Sequence, residues 1–216
     1  MDKILCLSGG MDSVIAWYWL NKPKCIFFHT GLSYSDMEVE AIHRIGIPCI
    51  IDYSLDFSKE RSIYIPHRNL LFASRAAATG AYEVVIAGLK DDKVEDKTKD
   101  AFKIMSNCIS CIGKTPVLVT SPFWNFTKED ILKWFVKIYP EAIEVLQKSV
   151  SCYNGTNRKP CWECESCFRK ACALYSVGIV EEFRNKEMMV EYALRALKGY
   201  YEKSRCESIM RYVDRK

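Results

Sequence analysis

KILCLSGGMDSVIAWYWLN, residues 3–21, is the stretch that decides the fold. Its first five residues, KILCL (3–7), form an apolar run of strand length, and residues 11–21 read as a helix. Only Ser8, Gly9 and Gly10 separate the two. Adjacent glycines let a backbone adopt positive φ and come close to a ligand. The first N–H groups of a helix have no partner inside the helix, and the helix dipole favours negative charge beside them. Strand, Gly-Gly turn and helix start together therefore predict an anion-binding turn, with Ser8 and Ser13 as added hydroxyl donors. The loop is not of the Walker kind, because no GxxxxGK[ST] pattern is present.

Outward from this stretch the alternation continues. KCIFFH (24–29), PCIIDY (48–53), EVVIAG (83–88) and VLVTS (117–121) read as strands. Ser35 and Glu38 have capping-box spacing for a helix over 36–45. Pro66 opens an Ala-rich helix that runs to residue 79, and Gly80 ends it. The pattern predicts an α/β, Rossmann-like parallel sheet with helices on both faces, which binds ligands beyond the C-terminal strand ends. After Pro122 the character changes. Thr127 caps a helix over 128–138, Pro140 starts another, a Cys-rich loop covers 152–167, and the rest reads as helical. The expected organisation is an α/β body over 1–122 and a small helical part over 123–216.

The 216 residues suit one large domain or one domain with a small appendage. Hydrophobic residues at 49% and charged residues at 27% exclude a disordered chain. No apolar run approaches the ~20 residues of a membrane span, and the opening MDKILCLSGG lacks signal-peptide architecture. Eleven cysteines, an odd number, point to metal ligation and buried thiols in a reducing cytoplasm rather than to a disulfide framework. The net charge of +4 resides entirely in residues 184–216, which hold nine Lys/Arg against five Asp/Glu. A solvated helix face is the plain explanation, and contact with nucleic acid or an acidic partner is the other. Met188, Met189, Tyr192, Leu194, Leu197, Tyr200 and Tyr201 recur at helical spacing in the tail, which is expected to pack on the body or across a homodimer interface.

Cys152, Cys161, Cys164 and Cys167 are spaced Cys-x8-Cys-x2-Cys-x2-Cys. Four thiolates without an open position describe a closed, structural Zn²⁺ site, and an iron–sulfur cluster is the rival. Cys172 reads as a helix-packing thiol, and Cys6, Cys25 and Cys49 as strand core. Cys108 and Cys111 form a separate CxxC, read as two buried thiols on one helix face or as a redox pair.

SGGMDS (8–13) resembles the PP-loop, SGGxDS, of ATP pyrophosphatases. Together with SCYNG (151–155) and CWECESC (161–167), it resembles the 7-cyano-7-deazaguanine synthase (QueC) family over most of the chain. IPHRN (65–69) is similar to that family's VPxRN segment, and SPFWNFTKEDI (121–131) to its PL-x4-K segment. The resemblance implies an ATP-dependent carbon–nitrogen ligase. Such an enzyme adenylates 7-carboxy-7-deazaguanine, uses ammonia to reach the amide and the nitrile preQ0, and releases AMP and pyrophosphate. It implies ATP and Mg²⁺, with Leu7, Ser8, Gly9, Gly10, Met11, Asp12 and Ser13 around the phosphates. Arg68 and Asn69 would meet ATP or the activated acid, Gly88 would leave room for a ligand, and Lys128 would meet phosphate charge. Asp12, Ser13, Arg68 and Lys128 are the implied catalytic set.

The resemblance weakens in the acceptor half. LKDDKVEDKTKDAF (89–102) lacks the family's Asp-Cys-Arg core, although Phe102 matches and Asp91 stands for a family Glu. TGLSY (30–34) puts Tyr34 where the family has His. Transfer to another amine, such as a protein N-terminus, is therefore an alternative outcome. Two further readings are a tRNA-thiolating PP-loop enzyme, which would use Cys108 and Cys111, and a zinc-containing nucleic-acid module without catalysis.

Overall fold

The computed structural model describes residues 2–60, 62–92, 94–155 and 158–215. In chain order the elements are β1 (Lys3–Cys6), α1 (Met11–Trp19), β2 (Lys24–Phe28), α2 (Ser35–Ile45), β3 (Ile50–Asp52), α3 (Arg68–Ala77), β4 (Glu83–Ile86), α4 (Lys99–Gly113) and β5 (Leu118–Thr120). Then follow α5 (Lys128–Ile138), α6 (Ile143–Lys148), α7 (Glu165–Tyr175), α8 (Lys186–Leu197) and α9 (Lys203–Val213). Among the described residues the strands form one parallel sheet in the order β3-β2-β1-β4-β5. The fold is thus the expected α/β Rossmann-like architecture.

Side chains alternate across a strand, so β1, β2 and β4 each feed two cores. Leu5, Leu7, Cys25, Phe27, Val85 and Ala87 join Val14 and Ile15 of α1, Ile42 of α2 and Ile131, Leu132 and Phe135 of α5. Ile4, Ile26, Phe28, Val84 and Ile86 join Ala73 and Ala76 of α3 and Phe102 and Met105 of α4 on the other face. A third core gathers Tyr34 and Met37, the cysteine loop, Phe168 of α7, Tyr192 of α8 and Ile209 and Tyr212 of α9. Residues on both sides of position 122 share the first core.

Several local expectations hold. Thr127 caps α5, and Asp130 completes a capping box with a 2.8 Å bond from the Thr127 N–H. Cys172 is buried against α9, and Cys25 in the core, while Cys6 and Cys49 are partly buried beside it. Others are corrected. Ser35 is not a helix cap: Tyr34 precedes α2 without a side-chain bond, and the Ser35 hydroxyl shares a 2.9 Å bond with Thr30 instead. Residues 66–67 form a turn, so α3 starts at Arg68. Cys108 and Cys111 are exposed on the outer part of α4 rather than buried, because Phe102 and Met105 supply that helix's core face.

Candidate active site

A cavity of about 390 Å³ opens where β1, β2 and β4 end, at the point where the strand order reverses. Cys6, Leu7, Ser8, Gly10, Met11, Asp12 and Ser13 line it. The turn is closed on itself: Ser13 Oγ donates to the Gly10 carbonyl at 3.0 Å, accepts from the Ser8 N–H at 3.1 Å and shares a 3.1 Å bond with the Ser8 hydroxyl. Gly9 has φ +66°, and a Cβ there would meet the Glu38 carbonyl oxygen at 2.9 Å, so only glycine fits. Met11, Asp12 and Ser13 form the first turn of α1, whose N–H groups are free of intrahelical bonds.

Asp12 Oδ2 lies 3.1 Å from Lys128 Nζ, and its Oδ1 is buried without a hydrogen-bond partner among the described residues. The capping box of α5 thereby delivers Lys128 to the loop. Arg68 donates from Nη1 to the Tyr34 hydroxyl at 2.9 Å, and burial pushes that phenol up to about 12 against the pull of Arg68. Glu38 shares the cavity wall with Arg68, and burial raises its carboxyl to about 8. Asn69 lines the cavity too, but its amide is bound to Asp96 Oδ1 at 2.8 Å. Gly88 lies outside the lining, and a Cβ there would meet the Trp124 ring at 2.9 Å.

Residues that the sequence reading did not single out as site residues also reach the cavity. Lys97 is paired with Asp92 at 2.9 Å, and Arg169 and Lys170 arrive on α7. Arg205 arrives on α9, thirty-eight positions beyond Cys167. Lys170 had the one readable cue, a charged residue one turn past a metal-ligand candidate. Its Nζ donates to the carbonyls of Gln147, at 2.9 Å, and Ser149, and burial lowers its pKa to about 8. The next N–H, of Val150, donates to the Gly9 carbonyl at 2.9 Å. The helix that follows the cysteine loop is therefore braced against the glycine turn.

The four cysteine sulfurs lie within 4.8 Å of one another, with Cys152–Cys161 at 3.5 Å, Cys152–Cys164 at 3.9 Å and Cys161–Cys167 at 4.0 Å. Sulfurs tetrahedral about zinc at ~2.3 Å are ~3.8 Å apart, so the donor set and its spacing fit the ion. Cys164 precedes the first turn of α7, and hydrogen bonding from the Cys167 thiol holds it toward thiolate.

A family model described as queuosine biosynthesis protein QueC matches residues 24–178. The chain belongs to the QueC family. Relatives named 7-cyano-7-deazaguanine synthase include those of Methanosarcina mazei, 29% identical with 82% of this chain and 76% of that protein covered, and Nitratiruptor sp., 27% identical with 77% and 90% covered. The protein of that name from Methanocaldococcus jannaschii is 24% identical, with 84% and 98% covered. This QueC-family chain is accordingly an enzyme of the ATP-dependent ligase class. No helix among its described residues is long and apolar enough to cross a membrane.

Proposed function

We propose that the protein adenylates 7-carboxy-7-deazaguanine with ATP and lets ammonia displace AMP to give the amide, and that a second adenylation, on the amide oxygen, carries that oxygen away with AMP as two N–H protons are lost, giving the nitrile preQ0. The observation that carries this reading is the cavity at the SGGMDS turn, where a buried Asp12 oxygen, unpartnered among the described residues, and Lys128 flank the free N–H groups of α1. A carboxylate is a poor electrophile, and AMP supplies its leaving group. The chain's task is then to hold phosphates, orient the acid and exclude water, more than to provide a nucleophile. The turn would take the departing pyrophosphate, Lys128 would meet its developing charge, and Arg68 would hold the acid or the α-phosphate. Asp12 Oδ1 would hold Mg²⁺, which when bound neutralises phosphate charge. The cysteine cluster would hold Zn²⁺ as a structural brace, with no open position for catalysis.

With ATP, Mg²⁺, ammonia and the carboxy-deazaguanine, the protein is expected to release AMP and pyrophosphate. Release of ADP and phosphate overturns the reading. A second reading, transfer of the activated acid to a larger amine such as a protein N-terminus, is favoured by one observation: the 89–102 segment, which lacks the family's Asp-Cys-Arg core, lines the cavity with Asp91, Asp92, Val94 and Lys97. A deazaguanine-sized mass increment on a co-expressed partner would support it.

A further inference from the structure

Asp91 marks the place where the cavity meets the C-terminal helices. Its side chain is 8% exposed, its Oδ1 is buried with no hydrogen-bond partner among the described residues, and its Oδ2 lies 3.8 Å from Arg205 Nη2. A buried acceptor without a donor costs on the order of 1–3 kcal/mol. That oxygen is satisfied only when a donor enters the cavity. Burial pushes the Asp91 carboxyl up, and Arg205, then Asp91's own backbone N–H, then Lys128 pull it back.

Arg205 belongs to α9, and α8 and α9 both lie past residue 178, where the family match ends. They are firmly seated. Tyr212 is fully buried, donates its hydroxyl to the Glu181 carbonyl at 2.7 Å and accepts from the Phe183 N–H at 3.0 Å. Arg211 pairs with Glu129, next to Lys128 in the first turn of α5. Ser204, Arg205, Ser208 and Ile209 consequently form a stretch of cavity wall, with Arg205 aimed at the 89–102 segment.

We infer that Arg205 is a positioning residue, which holds Asp91 by charge at 3.8 Å so that its carboxylate, with Oδ1 free of any donor among the described residues, accepts the N–H groups of the substrate's heterocycle, a ring N–H beside an exocyclic amine. Resting on the proposed substrate class, this assigns α9 a part in base recognition. A carboxylate takes two such parallel donors well, and in a buried wall its ionised form is favoured by a fixed counter-charge. Arg205 supplies that charge from the far end of the chain.

The test uses the full chain and 7-deazaguanine, which carries the base edge but no carboxylate, in calorimetry. Wild type is expected to bind it, Arg205→Ala to weaken binding about tenfold or more, and Arg205→Lys to stay within about threefold. Asp91→Asn is expected to lose at least as much, and the double variant no more than Asp91→Asn alone, because the two act as one unit. In turnover, Arg205→Ala should raise KM for the acid while KM for ATP holds. Additive losses, unchanged binding by Arg205→Ala, or an equal rise in KM for ATP overturns the inference. A wild type that releases AMP yet does not bind the base also overturns it. A wild type that releases no AMP overturns the proposed function instead, and the base-binding comparison still decides the role of Arg205.

Discussion

Lys128 Nζ sits 3.1 Å from Asp12 Oδ2, joining the first turns of α5 and α1 across the mouth of the glycine turn. A cation at a helix start is opposed by the dipole, and Asp12 offsets that opposition. The same carboxylate keeps its second oxygen buried and, among the described residues, unpartnered. Under the proposed function, this pair would meet the polyphosphate of ATP, with Lys128 as the cation and the unpartnered Asp12 oxygen as the acceptor.

Removing either member should show in chemistry more than in folding. Lys128→Ala and Asp12→Asn are each expected to lower kcat about 10²-fold or more, as for loss of a preorganised charge at a developing anion. AMP release under saturating ATP measures this, with circular dichroism as the folding control. Turnover within threefold of wild type would remove Lys128 from the site.

The cysteine cluster should carry one zinc per chain, measurable by elemental analysis on a colourless protein. Cys161→Ser, or chelation, is expected to lower stability, with Tm falling about 2–4 °C for each kcal/mol lost in a chain of this size. Because Lys170 and Val150 link α7 to Gly9, the same treatment should raise KM for ATP. A brown protein with iron and sulfide would replace zinc with a cluster.

Glu38 sets a pH dependence whose sign follows from burial. Its carboxyl is raised from 4.5 to about 8 in the folded state. Between those values the native chain holds a proton that the unfolded chain has released, so Glu38 subtracts stability as pH rises through that window. Glu38→Gln should therefore gain Tm over wild type progressively from pH 5 to pH 8, and match it near pH 4. A gap that narrows with rising pH would contradict the burial argument.

Cys108 and Cys111 are exposed on α4 and stand apart from the described cavity wall. Their joint replacement by alanine is expected to leave AMP release within twofold of wild type. Loss of activity in that variant would revive a sulfur-transfer role.

Val190, Leu194, Leu197 and Tyr200 remain 52–69% exposed after α8 has packed, the first three at the i, i+4, i+7 spacing of one helix face. The homodimer expected from the sequence would use this stripe as its two-fold contact. Light scattering should give a dimer that Leu194→Glu with Leu197→Glu converts to monomer. A monomeric wild type at high concentration refutes the contact.

The glycine turn, the strand–helix alternation and the four-cysteine set were legible in the sequence because each depends on near neighbours: a φ that only glycine adopts, a period-2 run, thiols held by tight turns. Gly88 shows the boundary of such reading. Its lack of a side chain reads as space for a ligand, while in the fold that space belongs to Trp124. Ser35 and Glu38 show it again, since a capping box and a hydroxyl paired to Thr30 share one local spelling.

By itself, then, the chain's order of residues determined the α/β class, the glycine turn at 8–13, the four-cysteine cluster at 152–167 and the family. Tertiary structure alone decided that Lys128 faces Asp12, that Lys170 braces the turn, that Cys108 and Cys111 face outward and that Arg205 reaches Asp91 across more than a hundred residues. The reason is that backbone preference and thiol spacing act over a few residues. Which distant charges meet depends on how three hydrophobic cores pack the helices that carry them, and no local pattern encodes that packing.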